Sequence, residues 1–172
     1  MSLSKAELKG LFSTGDGKWR TPRELFIRLD GIFHYDLDAA ADSEDALCER
    51  YIDEETNALM VPWQPARAIW LNPPFGDGLY DWMIKVVIEA QHESRPVVTV
   101  LLPVRTETNW GQFILAHSRM VLFFDKRIRY VHPDPERSQR SPGFPSMLCV
   151  VHKWAGRNAW KQQLGKLGQV KE

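Results

Sequence analysis

The chain has 172 residues, 44% hydrophobic and 26% charged, which suits one globular domain and excludes intrinsic disorder, collagen-like repeats and low-complexity character for its body. Lys plus Arg and Asp plus Glu both total 22, so no global positive field draws in nucleic acid, and such a partner would have to be held by local patches. Residues 1–18 hold no apolar leader, no apolar run is long enough to span a bilayer, and Cys48 and Cys149 form no Cys-x-x-Cys pair. A cytoplasmic protein without membrane segment, disulfide or metal is therefore expected, the five histidines being scattered and unpaired at ligand spacing.

Residues 1–18 read as a mobile N-terminal segment, residues 19–154 as the folded body, and residues 155–172 as a basic tail with three glycines that should pack weakly. Thr21-Pro22-Arg23-Glu24 opens a first helix, with Thr21 as cap and Pro22 at the first helical position. Leu25, Phe26 and Leu29 form its buried stripe and Gly31 ends it. A strand is predicted over 33–37, a polar helix-rich stretch over 42–60 with a break near Asp53, and a short buried strand over 68–71 stopped by Asn72-Pro73-Pro74. A helix over 80–92 precedes the continuous apolar run 97–102, which reads as a central parallel strand covered on both faces. A helix over 110–117 and strands over 120–124 and 147–151 complete the pattern. This alternation predicts a three-layer α/β domain with a mainly parallel sheet. Ligands in such sheets sit at the carboxyl ends of strands, which singles out Asp38, Asn72 and the segment 103–105.

The sharpest motif is Asn72-Pro73-Pro74-Phe75. Taken as structure alone it is a Pro-rich turn ending a strand. As chemistry it suits an exocyclic amine, whose lone pair is delocalised into a ring until two acceptors draw its hydrogens toward tetrahedral geometry. The Asn72 side-chain carbonyl and the Pro73 main-chain carbonyl can be those acceptors, aimed by consecutive prolines whose φ is fixed. Phe75 would stack on a base, an interaction worth about 1–3 kcal/mol.

Trp19-Arg20-Thr21-Pro22-Arg23-Glu24-Leu25-Phe26, Asp36-Leu37-Asp38-Ala39-Ala40, Trp63 and Trp70-Leu71-Asn72-Pro73-Pro74-Phe75 together resemble the phage-type DNA N6-adenine methyltransferases. The likeness continues through residues 101–108 and Gly143-Phe144-Pro145-Ser146, and so covers nearly the whole body. It implies a reduced Rossmann-like methyltransferase fold with an antiparallel last strand, S-adenosylmethionine as donor, and adenine in DNA as acceptor. It further implies that Asp38 contacts the methionine part of the donor, that Thr21 and Pro22 line the same pocket with Trp19, Ala39 and Ala40 beside them, and that Asn72, Pro73, Pro74 and Phe75 form the catalytic motif. Methylation of RNA adenine or protein glutamine, or a non-catalytic nucleic-acid-binding module, are the competing readings.

Residues 36–55 carry nine acids against Arg50, a net charge of −8 that would welcome a cationic cofactor and repel phosphate. Asp38 is followed by three alanines where a glycine-rich turn is usual, and about 30 residues separate it from Asn72, too few for two full strand-helix units. The connection 125–146 carries Arg127, Arg129, Arg137 and Arg140 with Tyr130, and these five are the expected DNA contacts, since the target adenine must be flipped from the duplex. Loops of this length are either functional or disordered. Trp19 is the tryptophan placed for contact with the adenine ring, and Arg105 and Thr106 are further pocket candidates.

Overall fold

Helix α1 (Arg23–Phe33) begins where Pro22, at φ −59°, offers its carbonyl to the N–H groups of Leu25 (3.0 Å) and Phe26 (3.1 Å). The computed structural model describes residues 19–138, 143–153 and 158–172, so the N-terminal segment 1–18, Arg140 and the boundary at Trp154 lie outside the described residues. Thr21 does not cap α1: it sits one residue too early, and its buried hydroxyl has no partner. The helix also runs through Gly31, because Phe33 continues the buried stripe of Phe26 and Leu29, and it stops at His34, whose φ of 56° is left-handed. The strand expected over 33–37 is thereby shortened to β1 (Leu37–Asp38).

The stretch 42–60 contains no helix, contrary to its prediction. Asp42, Asp53 and Asn57 turn their side chains onto the N–H groups of Glu44 (2.9 Å), Thr56 (2.8 Å) and Leu59 (3.2 Å), offering the backbone a local alternative to helical bonding. Order returns at 50–52, which lie alongside β1 in parallel sense: the Asp38 N–H donates to Arg50 O (3.0 Å) and the Ile52 N–H to Asp38 O (2.9 Å).

From there the elements follow the apolar pattern within two residues: β2 (Ala68–Leu71), α2 (Leu79–Ala90), β3 (Val97–Pro103), α3 (Asn109–His117), β4 (Met120–Phe124) and β5 (Ser146–Val151). A single turn, α4 (Pro135–Ser138), interrupts the connection before β5, and α5 (Asn158–Leu164) and β6 (Gly168–Lys171) follow it. The six strands are ordered β1-β2-β3-β5-β4-β6. β1, β2 and β3 run parallel, with Leu37 opposite Ile69 and Trp70 opposite Thr99, whereas the β3–β5, β4–β5 and β4–β6 pairings are antiparallel. The sheet is parallel at one end only, which corrects the mainly parallel expectation: the described residues of the β4-to-β5 connection hold one helical turn and no crossover helix to bring the chain back in the same sense. The last predicted strand, β5, is antiparallel to β3.

Alternation along the strands divides the core. Ile69, Leu71, Val100 and Leu102 meet Met83 and Val86 of α2 and Ile114 of α3, while Trp70, Leu101, Leu122 and Leu148 meet Leu29 of α1 and Leu164 of α5. The tail does not pack weakly: Trp160, Leu164 and Leu167, spaced as one helical face, are buried, and β6 closes onto β4. Gly168 is required there, since a Cβ would collide with the Phe123 carbonyl. No helix among the described residues is long and apolar enough to cross a membrane.

Candidate active site

β2 delivers Asn72 to the carboxyl end of the parallel strands, and the two prolines after it keep the chain out of helix until Gly78. The Asn72 Nδ2 donates to the main-chain carbonyl of Trp19 at 2.8 Å. With the nitrogen so committed, Oδ1 is the remaining end of the amide, and it is buried without a partner among the described residues. An acceptor left in that state costs about 1–3 kcal/mol, so its placement marks a position a donor-bearing ligand would satisfy.

Phe75 is 6% exposed and meets Tyr130 and Phe144 edge-on, at 6.1 Å and 5.8 Å between ring centres. It borders a cavity of about 250 Å³ whose other walls include Pro103, Arg105, Thr108, Trp110 and Phe144, at the ends of β2 and β3. The Thr108 hydroxyl accepts the Gly111 N–H (3.1 Å) to cap α3 and donates to Arg105 O (2.8 Å), and Gly111 lets that carbonyl approach where a Cβ could not. A larger cavity, about 370 Å³, lies at the outer edge of β1 between Leu37, Arg50, Tyr51 and Trp63. It includes none of the Asn72 motif, so the smaller cavity is the one relevant to that chemistry.

Asp38 is 3% exposed and accepts the N–H groups of Leu47 (3.2 Å) and Ala40 (3.3 Å). Burial pushes its carboxyl from 3.8 up to about 6, against the pull of those two hydrogen bonds, with Asp45 and Asp42 adding to the rise. The turn without glycine is explained by its own bonding. The N–H groups of Ala39, Ala40 and Ala41 are given to Trp70 O, Asp38 Oδ1 and Ile52 O, so these alanines offer small side chains rather than open donors. Arg20 joins the two halves of the region: its guanidinium pairs with Asp42 (2.6 Å) and Asp45 (3.1 Å) in the loop that wraps Asp38, while its neighbour Trp19 holds Asn72. Trp19, Thr21 and Pro22 thus belong to one segment running between Asn72 and the acidic loop. Sequence reasoning passed over Arg20, whose signal was its place beside the Thr-Pro element opposite a block of acids.

Arg127 and Arg129 are exposed on the connection before β5, and α4 carries Arg137, whose main chain alone is described. Tyr130 departs from its expected place at a DNA surface. It is 1% exposed, its hydroxyl lies 3.0 Å from Ser146 Oγ, and burial pushes its phenol up, so the ring is a packing wall behind Phe75. Phe144, whose ring lies 5.9 Å from that of Tyr130 and also meets Phe75, was visible in the sequence only as part of the Gly-Phe-Pro-Ser string.

The chain matches the family described as DNA N-6-adenine-methyltransferase (Dam) over residues 11–168, nearly its whole length. It belongs to this family. Over 93 residues the Dam-family chain is 41% identical to the DNA N-6-adenine-methyltransferase of Escherichia phage T1, an alignment covering 54% of this chain and 38% of the phage protein. It is 34% identical over 73 residues to YfdM of Escherichia coli (strain K12), itself named as a putative methyltransferase, covering 42% of this chain and 79% of YfdM. The chain therefore spans well under half the length of the phage relative. Among the described residues no group of three or more His, Cys, Asp or Glu could hold a metal ion.

Proposed function

We propose that this Dam-family chain transfers a methyl group from S-adenosylmethionine to the N6 amine of adenine in DNA, on a three-layer Rossmann-like methyltransferase fold. The observation that carries this reading is the Asn72 amide, whose nitrogen is fixed by Trp19 O while its buried oxygen has no partner among the described residues. Bound S-adenosylmethionine supplies an electrophilic methyl carbon. Asn72 Oδ1 and the Pro73 carbonyl accept the two hydrogens of the adenine amine, which localises the nitrogen lone pair for attack. Phe75 and the cavity beside it receive the flipped base, and Arg127 and Arg129, with Arg137 and Arg140, hold the backbone.

The residues present fit the donor. A buried carboxylate that accepts two N–H bonds retains lone pairs for an ammonium group, so Asp38 would hold the methionine end. The buried Thr21 hydroxyl, without a partner among the described residues, would be a further polar group for the donor, with Trp19, Pro22, Ala39 and Ala40 as lining. The test is methyl-labelled donor incubated with DNA, RNA and total protein. The label should appear as N6-methyladenine in DNA and fall by about 10²–10³ in kcat for Asn72→Ala, with donor binding retained. Label in RNA or protein alone, or full activity without the Asn72 amide, would overturn the proposal.

A further inference from the structure

Asn72 can serve as an acceptor only if its amide is turned the right way, and nothing in the Asn-Pro-Pro-Phe turn itself decides between the two orientations, which are nearly equal in shape. The decision is made from outside. Trp19 O faces the amide at 2.8 Å, and a carbonyl there accepts Nδ2 and repels Oδ1. Trp19 belongs to no helix or strand, and an isolated antiparallel bridge at the next residue fixes its peptide: the Arg20 N–H of that peptide donates to Val131 O at 2.7 Å, and the peptide after it is held by Val131 N–H to Arg20 O at 3.0 Å. The Trp19 ring rests edge-on against His132 at 5.0 Å, on the same connection, and the Arg20 guanidinium is held on its other side by Asp42 and Asp45.

We infer that the strap formed by Trp19 and Arg20, pinned by the main chain of Val131, is the positioning element for catalysis: it fixes the Asn72 amide with Oδ1 toward the amine to be methylated. Trp19 acts here through its carbonyl, and Val131 through its own carbonyl, which takes the Arg20 N–H of that same peptide, and through its N–H, which holds the next one. Neither role is legible in the side chains. The inference rests on the adenine-methylating role of Asn72 for its kinetic consequence, but the orientation of the amide can be read without any substrate.

Val131→Pro deletes the N–H that bonds Arg20 O, at a residue whose side chain is 44% exposed and contributes little packing. Val131→Ala keeps that N–H and serves as the conservative control. The side-chain amide protons of Asn72, assigned in NMR spectra by their loss in Asn72→Asp, should exchange with solvent at least about tenfold more slowly than those of exposed asparagines in the wild-type protein. That protection should survive Val131→Ala and be lost in Val131→Pro. In parallel, Val131→Pro should lower kcat by about tenfold or more, and Val131→Ala should leave it within about twofold. Fast exchange of the Asn72 amide in the wild-type protein overturns the inference, even if Val131→Pro fails to fold. So does a folded Val131→Pro variant with wild-type exchange and kcat. A wild-type protein that protects this amide yet methylates no adenine overturns the functional reading and leaves the positioning intact.

Discussion

Acidification should loosen the cofactor before it unfolds the protein, and Asp38 sets the window. Its carboxyl titrates at about 6 instead of 3.8, which corresponds to about 3 kcal/mol against the charged form in the folded state. The folded protein therefore binds this proton more tightly than the unfolded chain, so between those two values stability falls as pH rises, and the cost of burying the charge is complete above about 6. An ammonium group of the donor needs the ionised form. At about pH 5 only about one molecule in ten still carries the charge, so the donor dissociation constant should rise about tenfold relative to pH 8. Asp38→Asn separates the two effects. It removes the buried charge but presents an NH₂ to either the Leu47 or the Ala40 N–H, a cost of about 1–3 kcal/mol that offsets the relief. The unliganded variant should thus melt within a few degrees of the parent at pH 8, while its donor affinity is weak and flat with pH. Calorimetric titration from pH 5 to 8 is the assay. A parent affinity that does not change across that range, or an Asp38→Asn variant that binds the donor as tightly as the parent, would remove Asp38 from the site.

Replacing Arg127 and Arg129 with Ala should weaken DNA binding and reduce the slope of log affinity against log salt by about 0.9 for each phosphate no longer neutralised, whereas an unchanged slope would take both off the DNA path. Tyr130→Phe removes only the hydroxyl's interaction with Ser146 and should cost about 1 kcal/mol in urea unfolding with DNA affinity unchanged; weakened DNA binding would return Tyr130 to the DNA-facing surface. Trp160→Ala should lower stability by about 3–5 kcal/mol, because its ring packs at 5.0 Å from Phe33 and 5.5 Å from His152, and a change well under 1 kcal/mol would detach the tail from the core.

The elements that were legible are those buried on both faces or carrying a long apolar stripe. Ala68–Leu71 and Met120–Phe124 fall where the apolar runs put them, and Val97–Pro103 extends its run by one residue. The failures share a cause, competition from local or distant partners that periodicity does not register. Asp42, Asp53 and Asn57 spend the bonding of 42–60 on side-chain turns, and Trp160, Leu164 and Leu167 held a helical spacing masked by the lysines and glycines around them. The antiparallel sense of β5 was expected from the family resemblance and not from the apolar pattern, and β6 was expected from neither.

The site divides along a different line. Asn72 and Asp38 stand out as candidates because strand ends and proline turns are positions that sequence spacing can locate, and Thr21 stands out only through the family resemblance. What orients Asn72 was not legible, since its partner is a main-chain group far away in sequence, Trp19 O, held in turn through Arg20 by Val131. Every residue type carries the same carbonyl and all but proline the same N–H, so no side-chain pattern marks these positions. The side chains that do leave a trace are those with charge to place. Arg20 stands at the foot of α1 facing the acids of 42–45, and a chain of zero net charge thereby holds its acidic loop against the segment that fixes the Asn72 amide. Balanced charge is in this protein a matter of where each sign sits: anions around Asp38, and the exposed Arg127 and Arg129 on the connection before β5.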